Sequence, residues 1–241
     1  MRSPQGTRRH LRAVSEGDKP GATSARDAMG AGTPTEISPR AVLKLRVELA
    51  GSEVPIWREL LVPARLTLEE VHVVLQICYD WEDVHLHEFQ VGHDRFLDAR
   101  DDTLLDMPHQ RSDGQVRLHQ LVSSLPFDFT YLYSQDEFWL HRVAVTETLA
   151  VEESHLYPLC IGGQKAAPPE GVGGSHGYND FLRCIARPTT PDGVDALTWI
   201  GGFWDAGAFS ANVINRTLHA DRRLLMMSNS RDRLDRYWDP E

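Results

Sequence analysis

Two histidines separated by one residue are the strongest candidates for a reactive site in this sequence. His85 and His87 stand in the string HLHEF, which alternation predicts to be a strand with both imidazoles on one face. Their Cα atoms would then lie about 6.5 to 7 Å apart. Imidazole nitrogens at that spacing can bind one ion, so a divalent metal such as zinc is the cofactor that this pair would hold.

A third ligand for such an ion must come from another element. His141 lies in a predicted aromatic-rich hairpin and can contribute if that hairpin borders the H-x-H strand. The acidic alternatives are Asp80, Glu82 and Asp83. An ion held by His85, His87 and His141, with a carboxylate to activate water, would suit a metal-dependent hydrolase of the phosphodiester class. We favour the other interpretation, in which these histidines make buried hydrogen bonds at the sheet edge.

Arg58 and a glycine pair are candidates for binding an anion or another ligand. Arg58 stands between Trp57 and Glu59, where it could clamp a phosphate or carboxylate or simply pair with an acidic neighbour. Gly173 and Gly174 precede a predicted helix, and amides at a helix N-terminus can bind an anion. No Lys-Ser or Lys-Thr follows, so this is not a P-loop, and we favour a structural loop.

Five tryptophans could line a ligand groove, although packing in the core and at its rim is the interpretation we favour. They are Trp57, Trp81, Trp139, Trp199 and Trp204. Their positions alone leave both interpretations open.

Residues 55–89 contain the elements that must position these side chains. Thr67 and Glu70 form a T-x-x-E capping box, so a helix is predicted to begin at Leu68. Leu68, Val71, Leu75 and Cys78 then form an apolar stripe up to about Asp80, as expected for an amphipathic helix. Extended segments at residues 56–62 and 86–91 flank this helix. The predicted order is therefore strand, helix, strand.

Alternating apolar residues predict further strands along the chain. Residues 42–49 alternate cleanly and should form a hairpin with residues 56–62, residues 95–97 should pair with 86–91, and residues 127–133 and 139–145 should form a third hairpin. Residues 98–115 are predicted to be a surface loop, and residues 116–123 a short helix. The glycines and prolines after Tyr157 are expected to preclude regular structure. Helices follow at residues 178–186, 195–200 and 210–218.

Composition limits the classes of protein that this chain can represent. It has 241 residues, 41% of them hydrophobic, and a formal net charge of −10, which suits a soluble globular protein. No apolar run is long enough for a membrane helix and no secretory signal is evident, so the cytosol is the expected compartment. The three cysteines form no C-x-x-C pair, which favours reduced thiols.

The two ends of the chain differ in composition from its body. Residues 1–40 carry seven basic and four acidic side chains and are predicted to form a disordered basic tail; an Arg-rich transit peptide is an alternative. The body is acidic and repels phosphate backbones, so nucleic acid could bind only through this tail. Residues 219–241 are predicted to be a charged C-terminal tail.

Several motifs in order resemble a known family. PIWRELLVP, TLEEVHVVLQICYDWEDVHLHEF, YPLCIGG with PPEGVGG, and WIGGFWDAGAFSANVINRTL are similar to the plasmid pRiA4b ORF-3-like family over residues 41–218. Its members are often labelled insertion-element passenger or resolvase-like proteins. The resemblance implies a compact α+β domain and no established activity.

Two departures from the family pattern affect the candidate sites. The chain reads YLYSQDEFWLH where members usually read YDFGDGWxH, so an acidic-turn chemistry is in doubt. Ala167 and Val172 stand where some members carry cysteines, which puts a cysteine metal site in doubt. No Y-x-R-x-S string is present, so serine-recombinase chemistry is rejected.

The sequence therefore predicts an α+β protein with one domain at residues 41–218, built from a mixed or largely antiparallel sheet of hairpins packed with helices. The favoured function is a non-catalytic interaction module, associated with mobile elements or plasmids and binding an unidentified protein partner without a membrane. The metal-dependent hydrolase is the alternative.

Overall fold

A single eight-stranded sheet organises the residues that the computed structural model describes, namely 36–98, 100, 108–221, 223 and 224. The described residues belong to one compact unit. The predicted basic tail lies outside them except for residues 36–40, and most of the predicted C-terminal tail lies outside them as well.

The sheet has the strand order β5-β4-β3-β6-β7-β1-β2-β8. The strands are β1 (Val42–Leu49), β2 (Trp57–Pro63), β3 (His87–Val91), β4 (Asp94–Leu97), β5 (Gln110–Ser112), β6 (Phe127–Tyr133), β7 (Trp139–Leu149) and β8 (Leu159–Gln164). Neighbours are antiparallel except β4 and β5, which are parallel. The helices are α1 (Leu68–Tyr79), α2 (Leu118–Leu121), α3 (Gly174–Ile185), α4 (Pro191–Trp199) and α5 (Ala211–Ala220). The predicted α+β class with a largely antiparallel sheet is confirmed.

The hairpin of β1 and β2 shows how alternation sets the two faces of the sheet. Leu43, Leu45 and Val47 are completely buried, whereas Lys44 and the polar residues that alternate with it face outward. Successive side chains of a strand point to opposite faces of the sheet. Once one face is covered, alternate residues must therefore be buried and the others exposed. The core therefore lies on one side of the sheet, beneath α1.

Helix α1 begins and ends as its sequence predicts, but it is more deeply buried. The Thr67 hydroxyl accepts a hydrogen bond from the Glu70 amide, and the Glu70 carboxylate accepts one from the Thr67 amide. Asp80 ends the helix in the left-handed conformation. Residues outside the expected apolar stripe are also buried, because α5 and the turn at Asp113–Gln115 contact α1. A helix that is buried around most of its circumference is a core helix, and α1 buries His72 and Gln76 together with its apolar residues.

The segment after Tyr157 contains a strand, contrary to the expectation that its glycines preclude regular structure. Strand β8 pairs with β2 at the edge of the sheet. A side chain at Gly163 would place its Cβ 2.3 Å from the Phe209 ring, so glycine permits close packing here rather than disrupting the strand. The short strand β5 likewise lies in a segment predicted to be a loop, and α3 begins at Gly174 rather than Tyr178.

The described helices are short, and the three cysteines are not paired with one another. No helix among the described residues combines the length and apolar character needed to cross a membrane. Cys78 and Cys160 are buried, Cys184 is half-buried, and all three are free thiols.

We expect Thr67→Ala to lower the free energy of unfolding by about 0.5 to 2 kcal/mol, because the amide that the hydroxyl satisfies loses its partner. Urea denaturation would measure the change. Thr67→Ser keeps the oxygen and should stay close to the wild type. Equal losses in both variants would attribute the effect to the methyl group and refute the role of the cap.

Candidate functional site

Arg58 lines a cleft of the described structure and joins three elements of the fold. Its side chain is only 3% exposed. The Nε atom donates to the carbonyl of Cys78 in the last turn of α1 at 3.0 Å. The Nη1 atom donates to the carbonyls of Trp57 at 2.8 Å and Gln164 at 3.1 Å. A cation at a helix C-terminus is favourable, so part of the guanidinium has a structural role.

The expected alternative for Arg58, a surface ion pair with an acidic neighbour, is wrong. Glu59 lies 3.7 Å from the Arg46 guanidinium instead, and no described carboxylate forms an ion pair with Arg58. The guanidinium lies between the rings of Tyr79 and Phe209, with its carbon 5.1 and 5.0 Å from their centroids. The Nη2 atom makes no hydrogen bond among the described residues and is not fully buried. Nη2 is therefore a donor without a described acceptor.

The cleft above Arg58 has a volume of about 1090 Å³ and lies between α1, α5 and two connecting segments. The end of α1 and residues 166–171 form one side, and residues 203–210 with the first turns of α5 form the other. Its mouth exposes apolar side chains: Phe203 is 79% exposed, Val84 64% and Val213 52%. The lining also contains four carboxylates, Asp80, Glu82, Glu170 and Asp205. Its walls are therefore apolar and acidic.

The amides of Gly171, Gly173 and Gly174 form a glycine nest at the start of α3, and this nest holds a carboxylate of the protein itself. The amide of Gly173 donates to Glu137 Oε1 at 2.7 Å, and the amide of Gly171 donates to Oε2 at 3.2 Å. Gly174 adds a longer bond of 3.4 Å, and Trp139 Nε1 donates to Oε2 at 2.9 Å. The amides of Gly173 and Gly174 thus point to one acceptor, and that acceptor is Glu137, which agrees with the favoured structural loop. Burial opposes the charge of Glu137, yet these bonds outweigh burial and lower its pKa.

The three predicted metal-binding histidines lie in different surroundings. His85 precedes β3 instead of lying within it, and its ring meets Tyr133 edge-on at 5.7 Å. His87 begins β3, with Nε2 2.7 Å from Asp113 and Nδ1 3.0 Å from Asp98. The contact with Asp113 is a hydrogen bond. The contact with Asp98 is an ion pair whose geometry does not allow a hydrogen bond.

His141 lies on β7 and is separated from His87 by strand β6. Tyr131 of β6 stands between them, with its ring centroid 6.1 Å from that of His87 and 5.3 Å from that of His141. The Nδ1 atom of His141 donates to the carbonyl of Trp139 at 3.0 Å. Among the described residues no three His, Cys, Asp or Glu side chains are grouped so that they could hold a metal ion. The structure does not bring His85, His87 and His141 together.

A stacked histidine pair, which the sequence did not reveal, lies beside β3. The rings of His72 and His87 are parallel, with centroids 3.6 Å apart. The Nε2 atom of His72 lies 2.8 Å from Asp83, and its Nδ1 lies 2.8 Å from the hydroxyl of Tyr131. The only signal in the sequence is a histidine on a core helix, because the partners lie 11 to 59 residues away.

Arg100 binds the two carboxylates, Asp83 and Asp98, that contact the stacked histidines. Its Nη2 lies 2.6 Å from Asp98 and 2.9 Å from Asp83. Burial opposes the charge of Asp98, but the ion-pair contact with His87 and the hydrogen bonds from Arg100 outweigh burial and hold the pKa of Asp98 well below its ordinary value. The three-way pairing of Arg100, Asp98 and His87 therefore fixes the start of β3 against the adjoining loop.

The pKa values of the histidines in this region shift in different directions because the partners of their rings differ. Burial disfavours the charged form of His87, but Asp113 and Asp98 outweigh burial and raise its pKa. Burial lowers the pKa of His72 to about 4 despite Asp83, and it lowers the pKa of His141 to about 3. Two stacked imidazoles whose pKa values differ could transfer a proton, but His72, His87 and Tyr131 are at most 6% exposed. The network is enclosed by the protein.

The tryptophans divide between the two roles considered for them. Trp81 and Trp139 are buried in the core, as favoured, and Trp57 packs beneath Arg46, whose guanidinium carbon lies 3.6 Å from its ring centroid. Trp204 lines the cleft, and Trp199 is 51% exposed. One tryptophan thus contributes to a ligand-accessible surface.

We expect Glu137→Gln to lower the free energy of unfolding at neutral pH by about 1 to 3 kcal/mol, because the nest amides lose a charged acceptor. Since the pKa of Glu137 is lowered on folding, its stabilisation is present above the ordinary glutamate pKa and is lost as the pH falls through the lower value. Urea denaturation at neutral and acidic pH measures both effects. Asp136→Asn, at an exposed neighbouring position, should change neither the stability nor its pH dependence. A similar loss of stability in this variant would refute the role given to Glu137.

We expect His141 to make the protein less stable in acid. Its pKa of about 3 in the folded protein means that below its ordinary pKa only the unfolded chain takes up this proton. Lowering the pH from 7 to 5 therefore lowers the free energy of unfolding by about 2 kcal/mol through this residue. His72 acts in the same direction and His87 in the opposite direction, so the variants must be compared with one another.

His141→Met should remove that part of the pH dependence, measured by urea denaturation at both pH values. His93→Met, at an exposed turn position, should retain the dependence of the wild type. An unchanged difference between pH 7 and pH 5 in His141→Met would contradict the prediction.

Comparisons with known proteins agree with the motifs. A model of the plasmid pRiA4b ORF-3-like protein family matches residues 41–213. The uncharacterized protein y4hQ of Sinorhizobium fredii (strain NBRC 101917 / NGR234) is 27% identical, with 74% of this chain and 91% of the relative covered. The crystal structure of a protein of unknown function, MM3350 from Methanosarcina mazei Go1, is similar with a TM-score of 0.63 and 26% identity, covering 71% of this chain and 96% of that one. The family match spans most of the sequence, and the chain belongs to the plasmid pRiA4b ORF-3-like family.

Proposed function

We propose that this protein is a cytoplasmic, non-catalytic interaction module that binds a protein partner in the cleft above Arg58. The description of its family as plasmid pRiA4b ORF-3-like favours a role connected with plasmids or mobile elements. Free thiols at all three cysteines suit a reducing compartment. The observation that carries the proposal is the cleft itself, with its exposed apolar mouth.

The apolar mouth of the cleft supports binding of a partner. Phe203 leaves 79% of its surface in water, and exposed Val84 and Val213 line the same cleft. Large aromatic side chains gain most from burial at an interface. Apolar side chains gathered in a concave site are typical of a recognition surface.

The enclosure of the titratable network supports a binding role over a catalytic one. A catalytic group must come within hydrogen-bonding distance of its substrate. His72, His87, Tyr131 and His141 are instead buried and surrounded by one another and by aromatic rings. Their interactions are those of a structural core, whereas the cleft is accessible and combines apolar and charged side chains.

Two valines of nearly equal exposure provide a matched test of the cleft. Val213 lines the cleft and is 52% exposed, whereas Val194 on α4 is 50% exposed and is not part of the lining. Random peptides of about eight residues, a length suited to a cleft of this size, would be synthesised both as C-terminal acids and as amides. Those retained by the full chain would be identified by mass spectrometry and their affinities measured by fluorescence anisotropy.

We expect retained peptides to bind the wild type and Val194→Trp equally, and to bind Val213→Trp at least about tenfold more weakly, because the indole fills the mouth. Circular dichroism would verify that both variants are folded. Retention of no peptide, or equal affinity for the two variants, would refute the proposed function.

A further inference from the structure

The cleft contains a buried cation with no acidic partner among the described residues. A guanidinium remains charged at any pH relevant to proteins. Arg58 is 3% exposed, and its three hydrogen bonds all go to neutral backbone carbonyls. A buried charge is costly unless it is paired. The cost is reduced here by the α1 C-terminus and by two aromatic faces, but no described carboxylate lies within ion-pair distance of the guanidinium.

The unused donors of Arg58 define where an anion would bind. Carbonyls occupy Nε and Nη1, and the rings of Tyr79 and Phe209 flank the guanidinium. Nη2 is the nitrogen left for a ligand that enters the cleft. A carboxylate oxygen could accept a charge-assisted hydrogen bond there, and the neighbouring rings would contact an apolar group attached to it.

The rim of the cleft has the opposite charge. Asp80, Glu82, Glu170 and Asp205 line it, and none of them forms an ion pair within the described part of the chain, although Glu53, Glu88 and Asp180 elsewhere on the surface do. Glu170 is held in place, since it accepts hydrogen bonds from the Tyr133 hydroxyl at 2.6 Å and the Glu82 amide at 2.7 Å. Such a rim attracts positive groups and repels phosphates.

These charges specify a ligand that is negative at its inner end, apolar next to it and positive further out. We propose that the cleft binds the C-terminal tail of a partner protein, an inference that rests on the proposed function. The terminal α-carboxylate binds Arg58 Nη2, a large apolar last residue packs against Phe209, and preceding Lys or Arg residues face the acidic rim.

The charge of the cleft favours a peptide over other anionic ligands. A volume of about 1090 Å³ lies at the upper end of the roughly 300 to 1,000 Å³ of small-molecule pockets, so charge decides between the ligands. A nucleic acid would bring its phosphates against four carboxylates, and a fatty acid would leave those carboxylates without partners. Capture of a C-terminal carboxylate is a known mode of peptide recognition, and the basic residues of a tail can satisfy the rim.

The acid and amide forms of the retained peptides test the assignment directly. We expect them to be acids with a large apolar last residue and Lys or Arg before it. Amidation of the tightest peptide should weaken binding at least about tenfold, because the buried cation loses its charged partner. Arg58→Gln should remove the difference between acid and amide. If that variant does not fold, amidation of the ligand still tests the contact in the wild-type protein.

The rim is tested separately with matched glutamates. Glu82 lines the cleft, and Glu153 is an exposed residue outside its lining. Glu82→Gln should weaken binding of the basic peptide about twofold to fivefold at low salt, an effect that decreases as salt is added. Glu153→Gln should have no effect.

The outcomes separate the two proposals. Peptides that bind equally as acid and amide, yet are sensitive to Val213→Trp, would overturn the carboxylate contact while the interaction module stands. Retained peptides without basic residues would overturn the role of the rim. A dimer of this chain that Val213→Trp dissociates, measured by light scattering, would assign the cleft to a second copy and overturn the tail as ligand.

Discussion

The buried guanidinium of Arg58 is the interaction on which the arrangement of the cleft depends. It binds carbonyls of β2, the end of α1 and the end of β8, so one side chain fixes the edge of the sheet relative to the central helix. A neutral replacement would leave the carbonyl of Cys78 at the helix terminus without this donor, and buried carbonyls without partners are costly. The same side chain that joins these elements thus gives the cleft its positive base.

Whether a polar group is structural or available for binding depends on what already satisfies it. The glycine amides at the start of α3 bind Glu137, and His87 is held between Asp113 and Asp98. Without these partners, the glycine amides and His87 would each be able to bind a ligand. In the folded chain their partners are present, so they stabilise the fold. The Nη2 atom of Arg58 and the rim carboxylates differ because none has an oppositely charged partner among the described residues, which is why the cleft carries the functional proposals.

The aromatic and histidine layer beneath α1 explains how so much polarity is accommodated in the core. His72 and His87 stack at 3.6 Å, and Trp81 lies 5.1 Å from Tyr133 and 5.4 Å from His141. Burial keeps His72 and His141 largely neutral at neutral pH, so these rings pack at little electrostatic cost. His87 tolerates a higher pKa only because two carboxylates surround it. Stability in this layer is therefore linked to pH.

The sequence by itself determined the elements whose rules are local. Alternation located β1, the capping box at Thr67 set the start of α1, and the ordered motifs identified the family. Only the tertiary structure decided that β6 separates His87 from His141, that Glu137 fills the glycine nest, that β8 is a strand and that Arg58 has no described acidic partner. These facts depend on contacts such as Glu137 with Gly173, 36 residues apart. Hydrophobic period and capping act within a few residues, whereas the partner of a charge depends on which distant segments pack beside it.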